Sequence, residues 1–244
     1  MATVLTAARL APEAAMSADP RLIVALDLPT TDEARALVER TGDAVSFYKI
    51  GLQLLASRGM DLAAELKRQG RQVFLDWKLH DIGATVERAA AAIAGSGCDF
   101  LTVHGEPQVM AAAVKGRDGA PIKLLAVTVL TSLDDEDLQA MGYGMGARAL
   151  VERRVRQAID CGCDGVISSP HEAALARAIG GPGFLVVTPG VRPSGVSLDD
   201  QARAATPASA LQSGASHLVV GRPVTAAADP RAAAQAIARE MAKA

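Results

Sequence analysis

The sequence predicts a single α/β domain folded as a closed (β/α)8 barrel. Eight short apolar runs rich in Val, Ile and Leu recur along the 244-residue chain, with longer alanine-rich helical segments between them. Strands that alternate with helices pair in parallel through right-handed crossovers. Eight such units also match the ~250 residues that a closed barrel typically needs. An open, doubly wound sheet is the alternative, because a count of strands does not by itself prove closure.

The predicted strands follow one another along the whole chain, and each interval has room for one helix and two short connections. Their bounds are 22–27, 46–50, 72–78, 99–104, 123–131, 165–169, 184–188 and 217–221. No Gly/Ser-rich linker or change of composition divides the chain. We therefore expect residues 21–244 to form one barrel domain. Residues 1–20 lack the basic start and apolar stretch of a signal peptide, so we expect a flexible N-terminal extension.

Composition limits the classes of partner. The formal net charge of −2 provides no long-range attraction to nucleic acid or to an anionic membrane. No uncharged apolar run reaches the ~18 residues of a membrane-spanning helix. Cys98, Cys161 and Cys163 form neither a CxxC pair nor an even disulfide set, so we interpret them as reduced structural cysteines. These features predict a cytoplasmic protein without nucleic-acid or membrane partners.

Polar residues follow the apolar runs at the ends of the predicted strands. Parallel strands direct their carboxyl ends to one mouth of a barrel, which is where the active sites of such barrels form. Polar residues at strand ends are common at any surface, but the number found here favours a site. The residues expected at this mouth are Asp27, Lys49, Asp76, Lys78, His104, Thr131, Ser168, Thr188 and Arg222.

The third predicted strand carries unusual charges in the stretch FLDWKLHDIGATV, residues 74–86. Side chains alternate along a strand, so Asp76 and Lys78 are expected on one face and Trp77 on the other. With Lys49 and Asp81, the pair makes an alternating array in which the carboxylates keep the lysines protonated. An ammonium held in this way can protonate a carbanion. The alternatives are a structural ion pair for Asp76 and Lys78, and an N-cap or first-turn carboxylate for Asp81.

These residues resemble the orotidine 5′-phosphate decarboxylase family. The pattern D-x-K-x-x-D, formed by Asp76, Lys78 and Asp81, is typical of that family. The resemblance covers nearly all of residues 22–225. The matching segments, in order, are ALD (25–27), FYKIG (47–51), DWKLHDI (76–82), AVTVLTS (126–132), TPGVRP (188–193), DQ (200–201) and VVGRP (219–223).

The resemblance implies conversion of orotidine 5′-monophosphate to UMP and carbon dioxide without a cofactor or a metal. Lys78 is then the proton donor to C6, Asp76 lies near the departing carboxylate, and Lys49 keeps the charges neutral and in place. It also implies a homodimer, in which Asp81 and Thr85 reach into the neighbouring subunit's site. Sugar-phosphate decarboxylases and hexulose-phosphate synthases share the pattern, but they place a metal-binding acid at the second strand, where this chain has Lys49.

The same resemblance assigns residues to the sugar and the base of the nucleotide. Asp27 and Lys49 are expected to hold the ribose hydroxyls. Thr131 and Ser132 are expected to meet the edge of the pyrimidine.

Phosphate binding is expected at Gly221 and Arg222, where a helix begins after the last predicted strand. Backbone N–H groups at a helix start favour an anion, and barrels often bind phosphate after strands seven and eight. The alternative for this segment is an ordinary strand-to-helix turn. The loop 190–206 is expected to act as a lid that contributes Arg192 and Gln201, although its Gly and Pro content also suits a mobile surface loop.

The chain departs from the family pattern at two places. Trp77 stands where the family usually has Leu or Phe, and Gly83-Ala84 stands where it has Pro-Asn. Trp77 is expected to affect packing, and Gly83-Ala84 the turn that leads to Thr85. A phosphate-binding barrel that has lost catalysis is a further alternative, although the charges needed for catalysis are all present.

Overall fold

In the computed structural model, eight parallel strands form a closed barrel in sequence order. The structure describes residues 18–193 and 205–244. The first strand pairs with the second and with the eighth, which closes the barrel. The predicted (β/α)8 barrel is thus confirmed, and the open sheet is excluded. Most of the extension predicted over residues 1–20 lies outside the described residues.

Each predicted apolar run overlaps an observed strand; β2 and β3 extend one residue past their predicted ends, and several other strands are shorter than predicted. Asp27 and Ser168 lie beyond the ends of their strands instead of within them. The observed strands are β1 Leu22–Ala25, β2 Phe47–Gly51, β3 Gln72–Leu79, β4 Phe100–His104, β5 Lys123–Val127, β6 Gly165–Ile167, β7 Leu185–Thr188 and β8 His217–Val220.

The largest error concerns β5, which was predicted to reach residue 131 and ends at Val127. The Thr128 hydroxyl donates to the carbonyl of Ile167 at 2.8 Å, and the Arg154 guanidinium donates to the carbonyl of Thr128. The apolar residues that follow leave the sheet and line a cavity at the mouth. Hydrophobicity alone does not distinguish a strand from an apolar cavity wall.

Helices surround the barrel and join successive strands. None of the helices in the described part of the chain is long and apolar enough to cross a membrane. A 3-10 turn at Gly42–Ala44 precedes β2. The helices are α1 Thr31–Thr41, α2 Leu52–Leu55, α3 Gly59–Arg68, α4 Gly83–Ala94, α5 Pro107–Arg117, α6 Asp135–Ala140, α7 Ala147–Cys161, α8 Ala173–Gly180, α9 Pro207–Gln212, α10 Arg222–Thr225 and α11 Pro230–Met241.

The alternation of side chains along the strands divides the apolar residues between two cores. The larger core lies between the sheet and the helices and includes Trp77, as predicted. The smaller core fills the barrel interior, where Phe100 makes edge-to-face contacts with Phe47 and Phe74 at centroid distances of 5.0 and 5.9 Å. This interior core supports the polar residues that lie nearer the mouth.

Strand β3 is irregular where its charges lie. It pairs in register with β4 as far as Leu75 opposite Leu101, and pairing resumes with Leu79 opposite Val103. Four steps on β3 therefore correspond to two steps on β4, so the strand bulges. Lys78, inside the bulge, has a φ of 48°, which is uncommon for a residue with a side chain. The side chains still alternate between the two faces as predicted, since Asp76 and Lys78 line the cavity at the mouth and Trp77 packs in the helix-facing core.

Candidate active site

A cavity of about 500 Å³ opens at the carboxyl ends of the strands. Charged residues from the first three strand ends line one side, and apolar residues from β5, β6 and β8 line the rest. The rim carries two arginines. The main lining residues of the cavity are Asp27, Lys49, Asp76, Lys78, Val127, Leu130, Thr131, Ile167, Arg192, Val219, Gly221 and Arg222.

Four charged residues on the first side form a continuous chain, here called the charged network: Asp27, Lys49, Asp76 and Lys78. Lys49 Nζ lies 2.9 Å from Asp27 Oδ1 and 3.4 Å from Asp76 Oδ2. Lys78 Nζ lies 2.9 Å from Asp76 Oδ1. The charges alternate in sign and sum to zero, which offsets the cost of removing them from bulk water.

Asp76 is the centre of the charged network, since it contacts both lysines. Burial alone would raise the pKa of its carboxyl. The ammonium groups of Lys49 and Lys78, with hydrogen bonds from Lys78 and Thr102, outweigh burial and lower that pKa below its ordinary value. Asp76 is therefore an anion at neutral pH and a fixed negative charge beside the Lys78 ammonium.

Thr102 on β4 belongs to this site and was not predicted. Its side chain is fully buried, and its hydroxyl donates to Asp76 Oδ1 at 3.0 Å. The Thr102 hydroxyl oxygen also accepts a hydrogen bond from the backbone N–H of Lys78 at 2.9 Å. In the sequence, Thr102 is a single polar residue inside an apolar strand, a pattern that gives no signal of a site.

The rim of the cavity combines Arg192, Gly221 and Arg222. Arg192 is only 7% exposed, and its backbone N–H donates to the carbonyl of Ala205 at 3.0 Å. Gly221 is the N-cap of α10, and Arg222 is its exposed first residue. Two guanidinium groups at one rim suit an anionic ligand such as a phosphate. Gln201, expected on the same loop as Arg192, lies outside the described residues.

Three predicted site residues do not line this cavity in the single chain. Asp81 is exposed, and its carboxylate accepts a hydrogen bond from the N–H of Ile82 at 2.6 Å. Ile82, not Asp81, is the N-cap of α4, so the N-cap alternative for Asp81 is wrong. Thr85 lies in the first turn of α4, and Ser132 lines a neighbouring cavity of about 420 Å³ that shares Thr131 with the first.

The prediction that Ser168 and Thr188 lie at the mouth is wrong. Both are fully buried and neither lines the cavity. Val166 and Val186, two residues earlier in the chain, pack in the helix-facing core, so Ser168 and Thr188 share the outward parity. The inward residues at this level are Ile167 and Val187.

A second polar cluster lies behind the mouth, around Glu106. Arg154 on α7 donates to Glu106 Oε1 at 2.9 Å and to the Tyr143 hydroxyl at 3.0 Å. His80 and His104 lie 3.7 and 4.0 Å from Glu106 Oε2. Burial lowers the pKa of His104 below its ordinary value, despite the nearby carboxylate. Through its bond to the Thr128 carbonyl, Arg154 anchors the segment that leads to Thr131.

The three cysteines are free, and two of them are buried. Burial raises the pKa of the Cys163 thiol to about 12, so this thiol is not a nucleophile at neutral pH. Within residues 18–193 and 205–244, no group of three or more His, Cys, Asp or Glu side chains is arranged to hold a metal ion.

A closed parallel barrel that gathers charged residues and arginines at its carboxyl-terminal mouth is the architecture of a (β/α)8-barrel enzyme. The model of the orotidine 5′-phosphate decarboxylase / HUMPS family matches residues 20–237. The chain therefore belongs to this family, as the motifs around Asp76 and Lys78 predicted.

Similar proteins bear the decarboxylase name. The chain is 69% identical over 231 residues to orotidine 5′-phosphate decarboxylase of Caulobacter vibrioides strain NA1000 / CB15N, a match that covers 93% of this chain and 99% of the relative. It is 55% identical to that of Rhodopseudomonas palustris strain BisB5, over 93% and 98% of the two chains. The crystal structure of the Lactobacillus acidophilus decarboxylase superposes with a TM-score of 0.81 at 38% identity, and the match covers 91% and 99%.

Proposed function

We propose that this chain is an orotidine 5′-phosphate decarboxylase, which converts orotidine 5′-monophosphate to UMP and carbon dioxide in pyrimidine biosynthesis. The observation that carries the proposal is the charged network that lines one side of a cavity with a basic rim. The reaction needs no cofactor, because fixed charges supply the stabilisation that an electron sink would otherwise provide.

Lys78 is the proposed proton donor. When the bond between C6 and the carboxylate breaks, the electron pair stays on C6 and carbon dioxide leaves. The Lys78 ammonium stabilises this carbanion and then transfers a proton to it, after which solvent reprotonates the amine. Its 2.9 Å contact with Asp76 supports this role, since it holds the ammonium in one place before the reaction.

Asp76 and Lys49 hold the proton donor in position. The anionic state of Asp76 and its contacts with both lysines support a place for it beside the departing carboxylate. Lys49, 7% exposed, balances the charge of Asp27 and Asp76. We also propose that Asp27 and Lys49 bind the ribose hydroxyls, since both line the cavity beside the reacting groups.

The rim and the loops complete the nucleotide site in this proposal. Gly221, Arg222 and Arg192 bind the phosphate dianion, and Gln201 joins them on the basis of the family resemblance alone. Thr131 and Ser132 meet the pyrimidine edge, which is supported for Thr131 by its place in the cavity lining. Phosphate contacts far from C6 supply binding energy that is used at the transition state.

The proposed assembly is a homodimer in which Asp81 and Thr85 of one subunit complete the site of the other. Both residues lie outside the cavity of the single chain, and Asp81 is exposed. The neighbouring Ile82 is 71% exposed, which is unusual for a large apolar side chain and suits a subunit contact. An extension over residues 1–20, a barrel domain over 21–244 and a cytoplasmic location also remain proposals.

The test is the loss of orotate absorbance when purified protein meets orotidine 5′-monophosphate, with and without EDTA. Equal rates in both conditions support the metal-free decarboxylase. Lys78→Ala is expected to abolish turnover while UMP binding stays measurable by calorimetry. Turnover that requires added metal would indicate a sugar-phosphate lyase type of site. UMP binding without any turnover by the wild type would indicate a binding-only barrel.

A further inference from the structure

Thr102 makes two hydrogen bonds, and both go to the charged network. Its hydroxyl donates to Asp76 Oδ1 at 3.0 Å and accepts from the backbone N–H of Lys78 at 2.9 Å. Two other buried threonines, Thr41 and Thr128, instead donate to main-chain carbonyls. The bonds of Thr102 therefore join two residues of the site, whereas the main-chain bonds of the other two involve no residue of the charged network.

The bulge in β3 explains why Lys78 needs this partner. In a regular parallel ladder, the N–H groups of one strand donate to carbonyls of its neighbour. Between Leu75 and Leu79 the register with β4 shifts, and the Lys78 backbone adopts a φ of 48°. A side-chain hydroxyl from β4 takes the place of the missing carbonyl. The unusual backbone at Lys78 is thus held by Thr102.

We propose that Thr102 is a positioning residue for decarboxylation, whose hydroxyl ties the backbone of Lys78 to the carboxylate of Asp76. This inference rests on the proposed function. A hydroxyl has one proton, which goes to Asp76, and its lone pairs accept from Lys78. The two hydrogen bonds fix the backbone of Lys78 and the carboxylate of Asp76 relative to each other. The Lys78 ammonium is thereby held where C6 is to be protonated.

The test compares three variants with the wild type. Thr102→Val keeps the shape and removes the hydroxyl, and Thr102→Ser keeps the hydroxyl. Thr41→Val is the matched control, because Thr41 is also fully buried and hydrogen-bonded, to Val38 O and the Tyr48 hydroxyl. The measurements are kcat and KM for orotidine 5′-monophosphate, the Kd of UMP, and the urea midpoint.

Thr102→Val is expected to lower kcat by roughly 10- to 100-fold, the range that a misplacement of about 1 Å causes. Its KM and the Kd of UMP should stay within about threefold of the wild type, because the ligand contacts remain. Thr102→Ser should retain most of the wild-type kcat. Thr41→Val should lower the urea midpoint and leave kcat unchanged.

A Thr102→Val kcat within about twofold of the wild type would overturn the inference, as would an equal loss in Thr102→Ser. If Thr102→Val does not fold, Thr102→Cys decides, since a thiol has a similar size and bonds weakly. A Thr102→Cys variant as active as Thr102→Ser would then refute it. An inactive wild type would instead refute the proposed function, so the two failures are distinguishable.

Discussion

Gly51 contributes no polar group, yet its lack of a side chain leaves room for one of the ion pairs in the charged network. A Cβ atom at this position would lie 2.8 Å from Asp27 Oδ1 and 3.2 Å from Lys49 Nζ. The first distance is shorter than real Cβ contacts, so any side chain at position 51 must displace the pair. The close approach of a charged pair to the backbone therefore favours glycine here.

Gly51→Ala is expected to lower kcat/KM by about tenfold or more, because the displaced Lys49 no longer holds Asp76 in place. Gly183→Ala is the matched control, since a Cβ at Gly183 meets nothing within 4 Å. Steady-state kinetics and urea unfolding of both variants check the prediction. Wild-type kcat/KM in folded Gly51→Ala would show that the pair tolerates the shift.

The charges of the site could be predicted from the sequence, whereas the residues that position them could not. Asp27, Lys49, Asp76 and Lys78 each lie inside or at the end of an apolar run, where a charge is conspicuous. Thr102 looks like an ordinary strand residue, since its role depends on the local register between β3 and β4. That register is a property of pairing between strands, which no single segment reveals.

At the level of elements, the order of strands and helices was predictable, and strand ends and irregularities were not. An apolar run identifies a strand but does not show where the chain leaves the sheet, as β5 demonstrates. Side chains also alternate between the two faces, so a polar residue near a strand end can face away from the mouth, which explains the error at Ser168. The anchor of the β5 end, Arg154, is 26 residues distant in the chain from Thr128.

The end of the barrel opposite the mouth contains a titrating group, His217 at the start of β8. Its ring lies edge-to-face against Phe100 at 5.2 Å and Phe47 at 6.1 Å. Burial lowers the pKa of His217 to about 4 from an ordinary 6.5. The Asp19 carboxylate acts in the opposite direction, and Arg21 lowers this pKa further. The imidazole is therefore neutral in the folded protein at pH values where the unfolded chain binds a proton.

Stability is expected to fall as the pH drops from about 6.5 to 4, because only the unfolded chain takes up the His217 proton in that window. Below about pH 4 the contribution of His217 to the free energy of unfolding stops changing, after a total decrease of roughly 3 kcal/mol. Urea unfolding between pH 4 and 8 measures this dependence of stability on pH. His217→Asn should flatten this part of the profile, while His171→Asn, at an exposed position, should retain it. Identical slopes in all three proteins would contradict the assignment.

At the scale of the whole molecule, the cavity of one chain contains the charged network but not Asp81 or Thr85. The proposed dimer accounts for this division, because each site then takes residues from two subunits. In the proposed dimer, a residue of the network acts within its own chain, whereas Asp81 acts in the neighbouring one. The two kinds of residue are therefore separable by mixing variants.

Co-expressed Lys78→Ala and Asp81→Ala subunits are expected to recover about one quarter of wild-type activity, since half of the dimers are mixed and each has one intact site. Lys78→Ala mixed with Asp76→Ala is the control and should recover nothing, because both residues belong to the same chain's network. Turnover of orotidine 5′-monophosphate by the purified mixtures measures the recovery. Inactivity of both mixtures would place Asp81 outside the neighbouring site.

The separation of the two cores from the loops at the mouth affects how such a chain evolves. The aromatic interior and the helix-facing core lie apart from the loops that surround the mouth. Substitutions in those loops can accumulate with little effect on folding, and selection on them concerns the ligand alone. The bulge in β3 is different, because one segment serves both the sheet and the chemistry. We expect descendants that acquire new substrates to alter the rim first and the bulge last.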